Sequence, residues 1–421
     1  MKAKHIIRIF SGLFFCFNLT VLGQDSVTIQ DLKPYSYDFE LENEHFKGAG
    51  AKVLKEAISK SNITLVGNSL NSKLQNDFSN ALLSVLDSND YKKFVIEEGA
   101  ISGKVINRLA KTSETVKQFA DLNNKYSFQR LGSIIPPIHS LKSVEAAEFI
   151  QNAEKRGWTI FPIGLESWNS YKMVVDELYN NIPKNNQDGN INALHKKTLA
   201  ILDDGYKEMA KLDNENCLIF MTALTTSETF ISFLKAMEEF EANKDLVYYF
   251  RKSLDYWTLF GKRDYGGKNK ISIEESTERI AKLLQSDNFD FQNEKLFVNM
   301  SMVHLGKGIA PNGYYGAGSM LKEMTGFYGN SCLSIGMVPR FYEKDGKVED
   351  YLESDVYFLQ IFKELLIPLG KKENWVLIDL RSFTKDLIYG PFIVNSGLRD
   401  LIARYDMIII PSTDTNTTLN Y

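Results

Sequence analysis

A recurring pattern of short, nearly uninterrupted apolar runs most limits how this chain can fold. They occur at residues 63–67 (ITLVG), 94–96 (FVI), 159–164 (TIFPIG), 296–303 (LFVNMSMV), 331–338 (SCLSIGMV), 375–379 (WVLID) and 407–410 (MIII). Each is too short for a core helix and too apolar for a strand with one wet face, so each reads as a strand buried on both sides. Helical spacing lies between them, as in Leu74, Phe78, Ala81, Leu82 and Val85, and again over 144–155. The expected fold class is therefore α/β, with a mostly parallel sheet covered by helices on both faces. In such sheets a ligand lies beyond the carboxyl ends of the strands.

From 171 to 284 the period changes. Leu194, Thr198, Ile201, Leu202, Tyr206 and Met209 form one helical stripe, Phe230, Phe233, Leu234, Met237 and Phe240 another, and Leu246, Phe250, Leu254 and Trp257 continue it. Ser272 and Glu275 have capping-box spacing at the head of a further helix. This block reads as an inserted helical subdomain. The expected organisation is a signal peptide at 1–23, a polar leader at 24–48, the first half of the α/β domain at 49–170, the insertion at 171–290 and the second half at 291–421.

With 44% apolar residues, 27 Phe and 20 Tyr, 421 residues can bury a large core. The formal charge of −4 argues against a nucleic-acid partner. Lys2, Lys4 and Arg8 precede an apolar run at 9–22 that is too short to span a membrane comfortably, which is the pattern of a cleaved export signal with the cut before Gln24. The expected location is periplasmic or extracellular, with no stable membrane insertion after cleavage. Cys217 and Cys332 read as two free buried thiols rather than a disulfide framework. Neither CxxC nor HExxH occurs, so the sequence indicates no metal ligands and no cofactor.

The polar residues at the predicted strand ends are Asn68, Glu97, Glu98, Glu166, His304, Asp379 and Arg381. Carboxylates beside an imidazole are what a site needs to activate water. Of the five histidines, His304 is best placed; His139, in a loop after Pro136-Pro137, is the second choice. His5 falls in the signal, His45 in the leader and His195 in a helical stripe. The candidate catalytic residues are His304, Glu97 and Glu166, and the candidate ligand contacts are Asn68, Asn71, Glu98, His139 and Arg381.

The order of these elements resembles the erythromycin esterase-like family, within a wider superfamily that includes ChaN-like haem-uptake and Tiki/TraB proteins. The elements concerned are a strand ending LVG, a strand ending in Glu, a strand ending near Gly-x-Glu, a helical insertion and a strand reaching a late His in VHLGKG. The resemblance covers about 49–411. It matches Glu97 to the family's second-strand Glu and His304 to its late His, and Arg404-Tyr405-Asp406 before 407–410 looks like its last strand. The family's first strand ends in Gly-Glu, with His two or three positions on. Here the segment is Gly67-Asn68-Ser69-Leu70-Asn71-Ser72, which puts Asn68 at the Glu position and Leu70 or Asn71 at the His position. The resemblance implies that this first His is the base that activates water. Neither Asn nor Leu can accept a proton at neutral pH.

The implied protein is an exported, degenerate hydrolase-fold member with impaired or altered ester chemistry, acting on a small molecule. One alternative is a non-catalytic pocket for a small molecule or haem, a pseudoenzyme whose walls draw on Tyr248, Tyr249, Tyr256 and Trp257. These four also fit an ordinary helix core. A metal-dependent hydrolase is the other alternative, and a barrel glycosidase using Glu97 and Glu166 is a distant one.

Overall fold

The structure, a computed structural model, describes residues 26–68, 72–212, 219–286, 288–309, 313–353, 362–389 and 396–421. The expected signal peptide, Leu70, Asn71 and Cys217 lie outside these residues. Nine strands form one sheet: β1 (Ser36–Glu42), β2 (His45–Gly48), β3 (Ile63–Asn68), β4 (Lys93–Ile96), β5 (Thr159–Pro162), β6 (Leu296–Ser301), β7 (Cys332–Met337), β8 (Trp375–Asp379) and β9 (Met407–Ile410). Their spatial order is β2-β1-β8-β9-β7-β3-β6-β4-β5. From β9 to β5 every ladder is parallel; β2, β1, β8 and β9 are joined by antiparallel ladders.

Helices cover both faces, as the continuous apolar strands require. On one face Val66, Phe94, Phe297, Ile335 and Leu377 pack with Leu54, Phe78, Leu82, Ala147 and Ile150 of the helices Ala49–Ser59, Lys73–Asp87 and Val144–Lys155. Ser72 and Ser143 cap the last two by accepting from Gln75 N (3.0 Å) and Ala146 N (3.2 Å). The other face carries Leu65, Val95 and Val298 against Ile280, Leu305 and Leu321, and further along Val376, Ile378 and Ile408 against Phe383, Leu398 and Leu401.

Every element between Tyr171 and Ser286 is helical. This block has its own core of Tyr171, Leu202, Tyr206, Phe230, Phe233 and Phe250, so the stripes seen in the sequence are its buried faces. Its last helix runs Tyr265–Ser286, which places Ser272 and Glu275 mid-helix rather than at a cap; Asp264 Oδ1 instead accepts from Gly267 N at 2.9 Å.

Two further differences from the sequence reading stand out. Part of the expected polar leader folds as the β1–β2 hairpin, which extends the sheet through the β1–β8 ladder. In addition, β8 runs opposite to β9, pairing Asp379 with Met407, the first residue of β9. Asp379 therefore sits at the amino ends of the parallel strands, and Arg381 with it. No described helix is long and apolar enough to cross a membrane.

Candidate functional site

β4 and β6 are neighbours with Ile96 opposite Asn299, so the residues just past them emerge side by side. Glu97 follows β4, and His304 lies in the short helix Met302–Leu305 after β6. The His304 Nδ1 and Glu97 Oε1 atoms are hydrogen-bonded, and Ser301 N donates to Glu97 Oε2 at 2.9 Å. Burial opposes ionisation of Glu97, but the charge and hydrogen bond of His304 and the Ser301 N–H outweigh it, holding the carboxyl below its ordinary range. The Glu97 charge in turn raises His304, against burial and the positive charges of Lys268 and Arg404. With Nδ1–H committed to Glu97, the lone pair of Nε2 is left as the imidazole's basic atom. The His304 side chain is 41% exposed, so the ring is within reach of a ligand.

The next residue has the opposite character. The Glu98 carboxyl accepts a short hydrogen bond from the Ser140 hydroxyl. Burial pushes it up to about 8, and the nearby Glu166 and Glu97 carboxyls add to that rise. His139, beside Ser140, is driven down to about 4 by burial and by Lys142, which makes it a neutral imidazole at physiological pH.

Close backbone approach makes this crowding possible. A Cβ on Gly164 would lie 2.7 Å from the Glu97 carbonyl carbon, and one on Gly99 would lie 2.1 Å from Glu166 Cδ. Gly164 N donates to Glu98 O at 2.8 Å, tying the ends of β4 and β5 together. Glu166 lies 1% exposed at the start of the helix Ala100–Ala110, where it accepts from Ile101 N (2.6 Å), Ser102 N (3.1 Å) and Ser102 Oγ (2.5 Å). Gly99 supplies no side-chain cap there, so Glu166 satisfies that helix end from the loop after β5.

Glu97, Glu98, His139, Ser140, Gly164 and His304 line a cleft of about 360 Å³ at the carboxyl ends of β4, β5 and β6. Phe94, Phe149, Leu165, Tyr256 and Trp257 give it apolar walls. Tyr256 and Trp257 come from the inserted helix Lys244–Gly261, which also holds the loop after β5: Trp257 Nε1 donates to Glu166 O at 2.8 Å, and Glu166 N donates to Ser253 Oγ at 2.9 Å. Arg279, from the next helix, donates to the carbonyls of Gly164 and, at 2.6 Å, Pro162. Tyr248 and Tyr249 are not cleft residues; Lys282 Nζ lies over both rings.

The structure thus brings together Glu97, Glu98, His139 and His304, with Glu166 directly behind them. Asn68 ends β3 in register with Ser301. Arg381 is not at the cleft: it grips Asp379 through Nε (2.9 Å) and Nη2 (3.0 Å) at the other end of the sheet, because β8 is reversed. His195 is a structural group, bonded to Asp176 at 2.9 Å and stacked on Tyr179 at 4.0 Å. Sequence reasoning missed Ser140, Ser301 N and Arg279; the position of Ser140 beside His139 was the available local signal. A wider opening of about 430 Å³ against the β1–β2 hairpin holds Glu40, Glu42, Glu44, Asp77 and Glu148, and none of the candidate catalytic or ligand residues. Among the described residues no group of three His, Cys, Asp or Glu side chains is arranged to hold a metal ion.

No protein-family model and no curated protein matches the sequence. Solved structures do. A protein from Bacillus cereus aligns over 94% of this chain and 100% of its own at 15% identity with a TM-score of 0.50. A succinoglycan biosynthesis protein aligns over 93% and 97% at 16% identity and 0.53. A histidine-to-asparagine mutant of the erythromycin esterase EreC, in its open conformation, aligns over 94% and 99% at 10% identity and 0.52. The chain shares the fold of these proteins along nearly its whole length.

Proposed function

We propose that this cleft hydrolyses an ester of a small molecule, with His304 as general base oriented by Glu97. The observation that carries the reading is the bond from His304 Nδ1 to a carboxylate whose second oxygen is held by Ser301 N–H. Such a carboxylate fixes the ring and its tautomer and stabilises the imidazolium formed when Nε2 takes a proton from water. Ester chemistry is suggested by the fold shared with an erythromycin esterase. The cleft volume suits a small organic substrate. Glu166 enters this reading as a positioning residue, since it holds the helix that follows the Glu97-Glu98-Gly99 turn.

Asn68 and Leu70 or Asn71 stand where the resemblance expects a Glu and a second basic His, so His304 acts without that partner, which favours a slower or altered reaction. Export to the periplasm or beyond the cell belongs to the same reading and rests on Lys2, Lys4, Arg8 and the apolar run after them. The test is a panel of carboxylic esters and macrolide lactones, assayed with the wild type and with His304→Ala. Hydrolysis by the wild type that falls about 100-fold or more in the variant is expected. Equal rates for the two proteins would overturn the proposal.

The same replacements favour a second reading, in which the cleft binds a small molecule or haem against Tyr256 and Trp257 without turning it over. A ligand at 100 times its Kd adds about 2.7 kcal/mol to stability. A raised Tm with haem or with a member of a metabolite library, in a protein that hydrolyses none of the esters, would establish this reading.

A further inference from the structure

Glu97 and Glu98 are consecutive residues at one strand end, both in the wall of one cleft, yet they are held in different ways. Glu97 has a cationic partner in His304 and a backbone N–H. Glu98 is 9% exposed, and its Oε1 accepts from Ser140; among the described residues no Lys, Arg or His bonds to it. The titratable groups around it are Glu97 beside it in the chain, Glu166 from the loop after β5, His139 from the short helix His139–Leu141 and, lining the same cleft, Tyr256 and His304. Glu97 and Glu166 are carboxyls, His139 is an imidazole that burial keeps neutral, and His304 is bonded to Glu97 rather than to Glu98. The Ser140 hydroxyl and backbone N–H favour the ionised form, but no cation bonds to it among the described residues and burial outweighs them, so the carboxyl keeps its proton near neutral pH.

We propose that Glu98 is the proton donor of this site, delivering the proton on Oε2 to the departing oxygen of the substrate. The inference rests on the ester-hydrolysis reading. In the balanced step, water oxygen bonds to the acyl carbon as a water proton passes to His304 Nε2. The bond from acyl carbon to alkoxy oxygen then breaks, and that oxygen takes the Glu98 proton. Acid and alcohol leave, and the proton on His304 returns through solvent to Glu98. Neighbouring carboxyls with opposite protonation divide base-side and acid-side duties in this way.

An alkyl ester, whose alkoxide leaves poorly, needs such a donor, whereas a nitrophenyl ester does not. Glu98→Gln, which keeps the size of the side chain and its bond to Ser140, is expected to lower kcat/KM for the alkyl ester at least about tenfold more than for the nitrophenyl ester. The fall in the wild-type alkyl-ester rate above about pH 8 should be absent in the variant. Independently of turnover, the infrared spectrum of the wild type at pH 6 should show a protonated carboxyl band that Glu98→Gln removes. Equal losses on both esters, or an ionised Glu98 at pH 6, would overturn the inference and leave the role of His304 standing. Failure of the wild type to hydrolyse either ester would instead overturn the hydrolase reading, and this inference with it.

Discussion

Glu97 and Asp379 each mark the end of a buried apolar strand, and each holds a basic side chain, but they lie at opposite ends of the sheet. Asp379 is 6% exposed on its side chain and is saturated by Arg381 Nε and Nη2, by Arg381 N and by Ser382 Oγ. Its partner is a guanidinium that keeps its proton, so the pair can only hold structure. Glu97 has a partner that titrates, and among the described residues nothing bonds to that partner's Nε2 beside the cleft. A strand-end carboxylate therefore becomes a candidate for chemistry through its partner's pKa range and through the direction of its strand.

Substitution can break this contrast, and the largest effect is expected at His304. His304→Ala should lower ester hydrolysis about 100- to 10,000-fold, whereas Arg381→Ala should leave kcat/KM within about threefold of the wild type. Glu97→Gln, which retains a hydrogen-bonding oxygen and removes the charge, should cost about 100-fold or more in kcat, because the imidazolium loses its stabilising carboxylate.

Stability measurements sharpen the same comparison. Gly99→Ala forces a methyl group against the Glu166 carboxyl and should destabilise the protein by about 3 kcal/mol in urea unfolding, through overpacking and loss of the Glu166 cap. The Glu98 carboxyl is pushed from 4.5 up to about 8, so between those values the folded chain holds a proton that the unfolded chain releases. Wild-type stability should accordingly fall as pH rises through that window. Glu98→Gln removes this dependence and should be more favourable at pH 9 than at pH 5 by roughly 4 kcal/mol. The smallest effect is at the far end of the sheet, where Arg381→Ala should cost less than about 1 kcal/mol, since the Arg381 side chain is 36% exposed and Asp379 keeps its bonds from Ser382 and the backbone.

Much of the framework was legible in the chain, because apolar runs buried on both faces have few other homes. Glu97 and His304 were found by their places after two such runs, and the structure joins them across a parallel ladder. Strand direction was not legible: WVLID carries no mark of running antiparallel to MIII, so Arg381 was expected at the cleft and is found at the opposite end. The β1–β2 hairpin was read as polar leader because its strands carry many exposed polar residues, with only Phe39 and Phe46 fully buried in them. The different surroundings of Glu97 and Glu98 depend on Ser301, Ser140 and Glu166, which meet them only in three dimensions. No local spacing encodes that.

The most direct test of the central claim is the pH dependence of kcat/KM for a hydrolysed ester, compared between the wild type and Glu97→Gln. If His304 is the base and Glu97 raises its pKa, the wild-type rate should climb through a midpoint above the ordinary value of 6.5. In the variant, the residual rate should climb at a lower pH. An unchanged midpoint, or one that moves upward, would contradict the account.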